Sequence, residues 1–316
     1  MTRRRRAGRR LPQPPYNPRG RFLRAWGALE DPANAGRVII DTMMNLDLLV
    51  FAGRQTGQDR YLDIAVAHAD TTRRLFPRPD GSTPHVFDLD PATGTPLGPG
   101  TVQGYSPASC WSLGQAWGIY GFTTLYRRTA HTRFLDTATH LADYALHALT
   151  PDHIPVWDHR APQQPHDIKD ASAAAVMACA LTDLATATGH THYRTTALKI
   201  LTALARTCLT RTSTRADTAL TRCTRNRPAE DGIEIPLPYA DYYPLKAILT
   251  ARALGGGSRR DRIRRRGRAD HSARPSWNGD GAAQGRRLNR PLWRTGRPAF
   301  TPCAGRGAGT PAGRPR

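Results

Sequence analysis

The chain has 316 residues, 39% of them hydrophobic and 22% charged, which is enough to bury one large core or two small ones. Its formal charge of +21 sits at the ends: residues 1–24 hold nine arginines and no acid, and 255–316 hold sixteen arginines against three aspartates, leaving 25–254 at −1. A neutral middle argues against a nucleic-acid-binding fold, whose basic residues cluster on structured faces. Five cysteines without a CxxC pair argue against a disulfide framework or a zinc site.

In chain order, residues 1–24 read as a basic disordered tail of Arg, Gly and Pro. No apolar stretch follows the arginines, so they do not read as a signal peptide, and the default compartment is the cytoplasm. Within this stretch the alternation of Tyr16–Trp26, YNPRGRFLRAW, suggests a strand-like segment leading to Trp26.

Residues 25–254 read as a helical domain organised by a repeat. TGQDRYLDIA (Thr56–Ala65), TAHTRFLDTA (Thr129–Ala138) and TGHTHYRTTA (Thr188–Ala197) align without gaps, with threonine first, an aromatic sixth and alanine tenth. Apolar helical runs precede them, about 37–54, 111–128 and 170–187. Amphipathic runs follow, about 61–75, 134–149 and 193–208. The expected unit is a helix, a short turn and a helix returning antiparallel, with the more apolar first helix inside. The intervening stretches 76–110 and 149–169 are rich in Gly, Pro and Asp, and read as long loops at the N-terminal ends of the inner helices.

A further candidate helix covers Tyr239–Leu254, after a poorly periodic stretch at 209–235. Past Leu254, GGGSRRDRIRRRG reads as the end of the fold, and 255–316 as a second disordered basic tail. Arginine-only tails of this kind also suit a tether to polyanions. No run of 18 apolar residues occurs, so no membrane span is expected.

Three segments carry candidate chemistry. RVIIDTMMNL places Asp41 at the head of an apolar helix, where it reads either as a helix N-cap or as a carboxyl group with a raised pKa. DGSTPHVFDLD centres on His85. TVQGYSPASCWSLGQAWGIYGF gathers Gln103, Ser109, Trp111, Gln115 and Trp117 on a helix start, more polar and aromatic groups than a plain core helix needs. Together they suggest a carbohydrate-processing pocket.

These residues, with IPVWD (154–158) and DASAAA (170–175), resemble the unsaturated glucuronyl hydrolases of glycoside hydrolase family 88. The resemblance runs over about 16–250. It implies an all-α, six-hairpin (α/α)6 barrel, incomplete here with about four hairpins. It implies a glycoside hydrolase of polysaccharide degradation and carbohydrate metabolism, acting on unsaturated uronic-acid oligosaccharides that lyases release, by hydration of the C4=C5 double bond. On the matched positions Asp41 would be the general acid/base. Trp26, His85, Gln103 and Trp117 would bind substrate, with Asn45 and Gln115 as supporting residues, and no metal or cofactor is implied. The match departs from the family where an arginine for the substrate's acid group is expected, at Leu113, and where Lys246 stands in place of glutamate. Two other readings stand beside this one: an inactive, truncated remnant, or a polyanion-binding protein working through its tails.

Overall fold

The computed structural model describes residues 16–28, 32–164, 166–210 and 217–268, with side chains up to 253. Each repeat forms the expected pair. The first helices are α1 Thr42–Thr56, α3 Ser112–Thr129 and α5 Ala171–Thr188; the returning ones are α2 Arg60–Leu75, α4 Thr132–Ala148 and α6 Thr191–Thr207. Each repeat threonine, Thr56, Thr129 and Thr188, closes its helix by donating its hydroxyl to the carbonyl four residues back, at 2.7–2.9 Å. The next residue turns the chain through left-handed backbone: Gly57 at φ 67°, Ala130 at φ 58° and Gly189 at φ 76°. The tenth-place alanines Ala65, Ala138 and Ala197 are fully buried, and so are the aromatics Phe134 and Tyr193. Tyr61, the first aromatic, is only half-buried.

The inner helices touch closely because their facing residues are small. α3 packs on α1, α4 and α5. A Cβ at Gly121 would lie 2.5–2.7 Å from Met43, so glycine there lets α1 approach α3, and one at Gly114 would meet the Trp111 ring at 2.8 Å, so glycine there leaves room for the indole. α5 is an alanine-rich core helix: its 18 residues have a mean hydropathy of 1.3, long and apolar enough to cross a bilayer, and 78% of it is buried inside the fold. α7, Pro238–Arg268, supplies the first helix of a fourth pair. The array is therefore three complete hairpins and one further helix of an incomplete α/α barrel.

Several boundaries differ from the sequence reading. Residues 37–39, expected in the first helix, form a strand instead, because β-branched Val38 and Ile39 pair with Phe87 and Val86 of a distant strand. That strand, β3 (Arg37–Ile39), joins β4 (Val86–Leu89) and β5 (Pro96–Gly100) in an antiparallel sheet of order β3-β4-β5, inside what reads as a long loop. β1 (Tyr16–Asn17) and β2 (Phe22–Leu23) form a hairpin within the expected N-terminal tail. Phe22 is fully buried there, so residues 16–24 belong to the fold. At the other end, α7 continues past Leu254 to Arg268 through the three glycines. The rest of the expected tails, 1–15 and 269–316, lies outside the described residues.

Candidate active site

The small sheet brings the chemistry together. Ile39 pairs with Val86, and Val86 with Gly100. The residues just beyond those pairs, Asp41, His85 and Gln103, therefore meet at one end of the sheet, and the Ile40 N–H donates to the His85 carbonyl at 3.1 Å. This end lies over the starts of the inner helices, where Asp41, Trp111 and Asp170 hold the N-cap positions of α1, α3 and α5.

Asp41 stands at a cap position without capping. Its backbone is helical (φ −59°, ψ −30°) and its side chain accepts no bond from the helix. The side chain is one-fifth exposed, yet Oδ2 is sealed from solvent without a hydrogen-bond partner. Burial penalises the charged form and pushes its pKa up to about 7, with its own backbone N–H opposing weakly. At neutral pH the group is thus close to half-protonated.

His85 faces it, Nε2 lying 3.7 Å from Oδ2. The tautomer is fixed from behind: Nδ1 accepts the backbone N–H groups of Val102 at 3.2 Å and Gln103 at 3.1 Å, so the proton sits on Nε2 and points at Asp41. Burial lowers the His85 pKa to about 4, so the ring is neutral at pH 7 and the pair is not an ion pair. The Trp111 indole packs on the imidazole, with ring centroids 4.6 Å apart.

Each proposed supporting residue has a definite place. Gln115 is fully buried and fully bonded: Oε1 accepts from Thr83 N and Oγ1 at 3.0 and 2.9 Å, and Nε2 donates to the Gly81 and Leu141 carbonyls at 2.8 and 2.9 Å. It clamps the loop that delivers His85. Gln103 acts on His85 through its backbone, while one N–H of its side chain donates to the Arg225 carbonyl at 2.7 Å, which leaves the amide oxygen and the second N–H for a ligand. Trp117 is buried in an aromatic group with Tyr120, Tyr239 and Tyr243 at centroid separations of 5.1–6.5 Å. Trp26 is 37% exposed and makes no ring contact with this cluster among the described residues. Asn45 is exposed on α1 and makes no hydrogen bond to Asp41, because the helix turns its side chain outward.

Trp111, one of the polar and aromatic groups the sequence gathers at this helix start, is set against His85 only by the fold. Tyr239, in the first turn of α7, packs its ring 6.2 Å from that of Trp117, and its pKa is raised by burial first and then by the negative charge of Asp170. Asp170 caps α5, its Oδ1 accepting from Ser172 N and Oγ at 2.9 and 2.5 Å and from Thr224 N at 3.2 Å. Its Oδ2 is buried without a partner, and burial raises its pKa to about 6. Asp158, of the IPVWD segment, pins the loop before α3 by accepting from Tyr105 N, Ser109 Oγ, Cys110 N and Arg160 N at 2.7–3.2 Å. Leu113 is 2% exposed and packs in the apolar core. No group of three or more His, Cys, Asp or Glu suited to a metal occurs among the described residues.

Antiparallel helix pairs define an α/α-barrel protein, and the uncapped Asp41 carboxyl, its Oδ2 buried, marks a candidate site at the N-terminal rim of the inner helices. No family model matches the chain, but individual proteins do. It is 43% identical over 164 residues to an unsaturated glucuronyl hydrolase of Bacillus sp. strain GL1, covering 52% of this chain and 44% of that protein. It is 36% identical over 236 residues to one of Formosa agariphila, covering 74% and 59%. The crystal structure of the Bacillus sp. GL1 enzyme superposes with a TM-score of 0.71 at 35% identity over 74% of this chain and 63% of that one. An unsaturated glucuronyl hydrolase described as specific for heparin superposes with a TM-score of 0.73 at 33% identity over 76% and 65%. The chain belongs to the unsaturated glucuronyl hydrolase family, glycoside hydrolase family 88. It spans about half the length of the curated relatives it matches.

Proposed function

We propose that this protein removes a 4,5-unsaturated uronic acid from the end of lyase-generated oligosaccharides by hydrating the C4=C5 double bond. The observation that carries this reading is the Asp41 carboxyl, sealed, unpartnered and raised to about 7, against a neutral imidazole whose N–H points at it. A carboxyl poised near the working pH can give up a proton and take it back. Protonated Asp41 delivers its proton to C4, and positive charge develops at C5 and the ring oxygen. Water adds at C5, and its surplus proton returns to the Asp41 carboxylate. The hemiketal formed at C5 opens the ring, and the hemiacetal exposed at C1 releases the rest of the saccharide. His85 Nε2–H steadies the carboxylate in the interval when it is charged, and the Trp111 indole keeps water from the back of the imidazole.

Room for the remainder of the substrate is available beside the loop held by Gln103. A cavity of about 430 Å³ there is lined by Tyr105, Trp157, Asp167, Arg227 and Glu230, among others, offering aromatic faces and polar groups suited to a sugar. Relatives named for unsaturated glucuronyl and unsaturated chondroitin disaccharide substrates support the same substrate class.

A second reading, an inactive member that keeps the fold, rests on Leu113. A buried leucine gives a substrate carboxylate neither charge nor donor. One experiment separates the two: following the ultraviolet absorbance of the conjugated uronide in a lyase-generated disaccharide. The hydratase reading expects the absorbance to decay, roughly 10²–10⁴-fold more slowly with Asp41→Asn, and the wild-type rate to fall as pH rises through about 7. Absence of decay with the folded wild-type chain establishes the inactive reading.

A further inference from the structure

Down the length of α3 from Trp111, past the layer of Trp117, Tyr120 and Tyr243, the inner helices enclose a second cavity. It measures about 210 Å³ and is lined by Asp47 of α1, Thr124, Arg127 and Arg128 of α3, and Lys246 of α7. Three cations and one carboxylate form its walls, and a second carboxylate, Asp183 of α5, lies 3% exposed behind Arg127 and Lys246.

Counting donors against acceptors shows what the cavity lacks. Both Asp47 oxygens are taken by Arg128, through Nε at 2.7 Å and Nη2 at 2.9 Å. Asp183 Oδ1 is taken by Arg127 Nη1 at 2.7 Å, and its Oδ2 faces Lys246 Nζ at 3.6 Å. Lys246 spends one N–H on the Tyr120 hydroxyl at 2.6 Å. A guanidinium carries five N–H donors and an ammonium three, so most of the donors on these three side chains have no protein acceptor. Burial works against the charge on Lys246, but Cys179, the Tyr120 hydroxyl and Asp183 together hold its pKa above the ordinary lysine value.

One hydroxyl repeats the pattern. Thr123 and Thr129 donate to the carbonyls four residues back at 2.7 and 2.8 Å. Thr124, on the wall and 9% exposed, keeps its Oγ1 buried with no partner. Asp183 Oδ2 is the one acceptor left without a hydrogen bond; the surplus of donors, the net positive wall and the orphaned hydroxyl outweigh it and call for the same complement.

We propose that this cavity is a binding site for a small oxyanion of the phosphate or sulfate type, held by Arg127, Arg128, Lys246 and the Thr124 hydroxyl and separate from the Asp41 end. Such an anion supplies acceptors to all four groups and ties α3 to α7 at the end of the array away from the chemistry.

The test is thermal melting of the full chain in sodium phosphate against sodium chloride at matched ionic strength. Saturating phosphate is expected to raise the midpoint by roughly 5 °C over chloride. Lys246→Gln should lose most of that rise, with its own melt in chloride reporting whether it folds. Thr124→Val, nearly isosteric, should weaken phosphate about fivefold. Asp41→Asn should keep the full rise. Equal midpoints in the two salts overturn the proposal, as does a rise undiminished in both cavity variants or one that disappears with Asp41→Asn.

Discussion

At the N-terminal ends of the inner helices, Asp41, His85 and Asp170 are buried with little or no opposite charge nearby, and each leaves a polar atom unbonded. Further along the same helices, Asp47 and Asp183 are matched by Arg128, Arg127 and Lys246. The contrast is one of location on a shared scaffold. Where charge is paired, the carboxylates tie neighbouring helices together. Where it is left unpaired in a dry place, burial lifts the carboxyl pKa toward neutrality, to about 7 at Asp41 and about 6 at Asp170. The reactive end carries the cost of unpaired burial, and the paired end supports the array.

The comparison can be broken most severely at Gln115. Replacing it with alanine strands the Gly81 and Leu141 carbonyls and the Thr83 N–H, so Gln115→Ala is expected to cost about 3 kcal/mol in a denaturant melt. Activity should fall with it, since the loop carrying His85 loses its clamp.

Asp41→Asn sharpens the contrast through pH. Folded Asp41 holds its proton to about 7, against 3.8 for the free side chain. Folding therefore takes up a proton between those values, and Asp41 lowers stability as pH rises across that window. The variant should be more stable than wild type at about pH 8, by on the order of 2 kcal/mol, with the gain vanishing near pH 4. His85 and His68 run the opposite way. Burial lowers their pKa values to about 4 and about 3, so the neutral rings keep the fold whole above 6.5 and weaken it as pH falls below that. A melt series across pH checks both limbs.

The smallest expected effect is at the turn after α3. Ala130 occupies left-handed backbone at φ 58°, where its two repeat counterparts are glycines. Ala130→Gly should stabilise by about 1 kcal/mol, measured by thermal melting, with no change in turnover.

Much of this molecule is legible in the residues alone. The threonine, aromatic and alanine spacing fixes three helical pairs because helical periodicity and turn chemistry act within a dozen residues. Asp41, His85 and the tryptophan helix stand out as chemistry for the same local reason: a carboxyl in an apolar run, and polar and aromatic groups at a helix start. What the sequence leaves open is whether Asp41 caps its helix, which way the His85 proton points, and that Gln103 serves through its backbone while Asn45 faces outward. Only the tertiary structure decides these, because each depends on strand pairing and packing between residues dozens of positions apart: Ile39 with Val86, Val102 with His85, Trp111 with His85. The basic cavity belongs to the same class, since α1, α3 and α7 each contribute to it and no single stretch of chain reveals it.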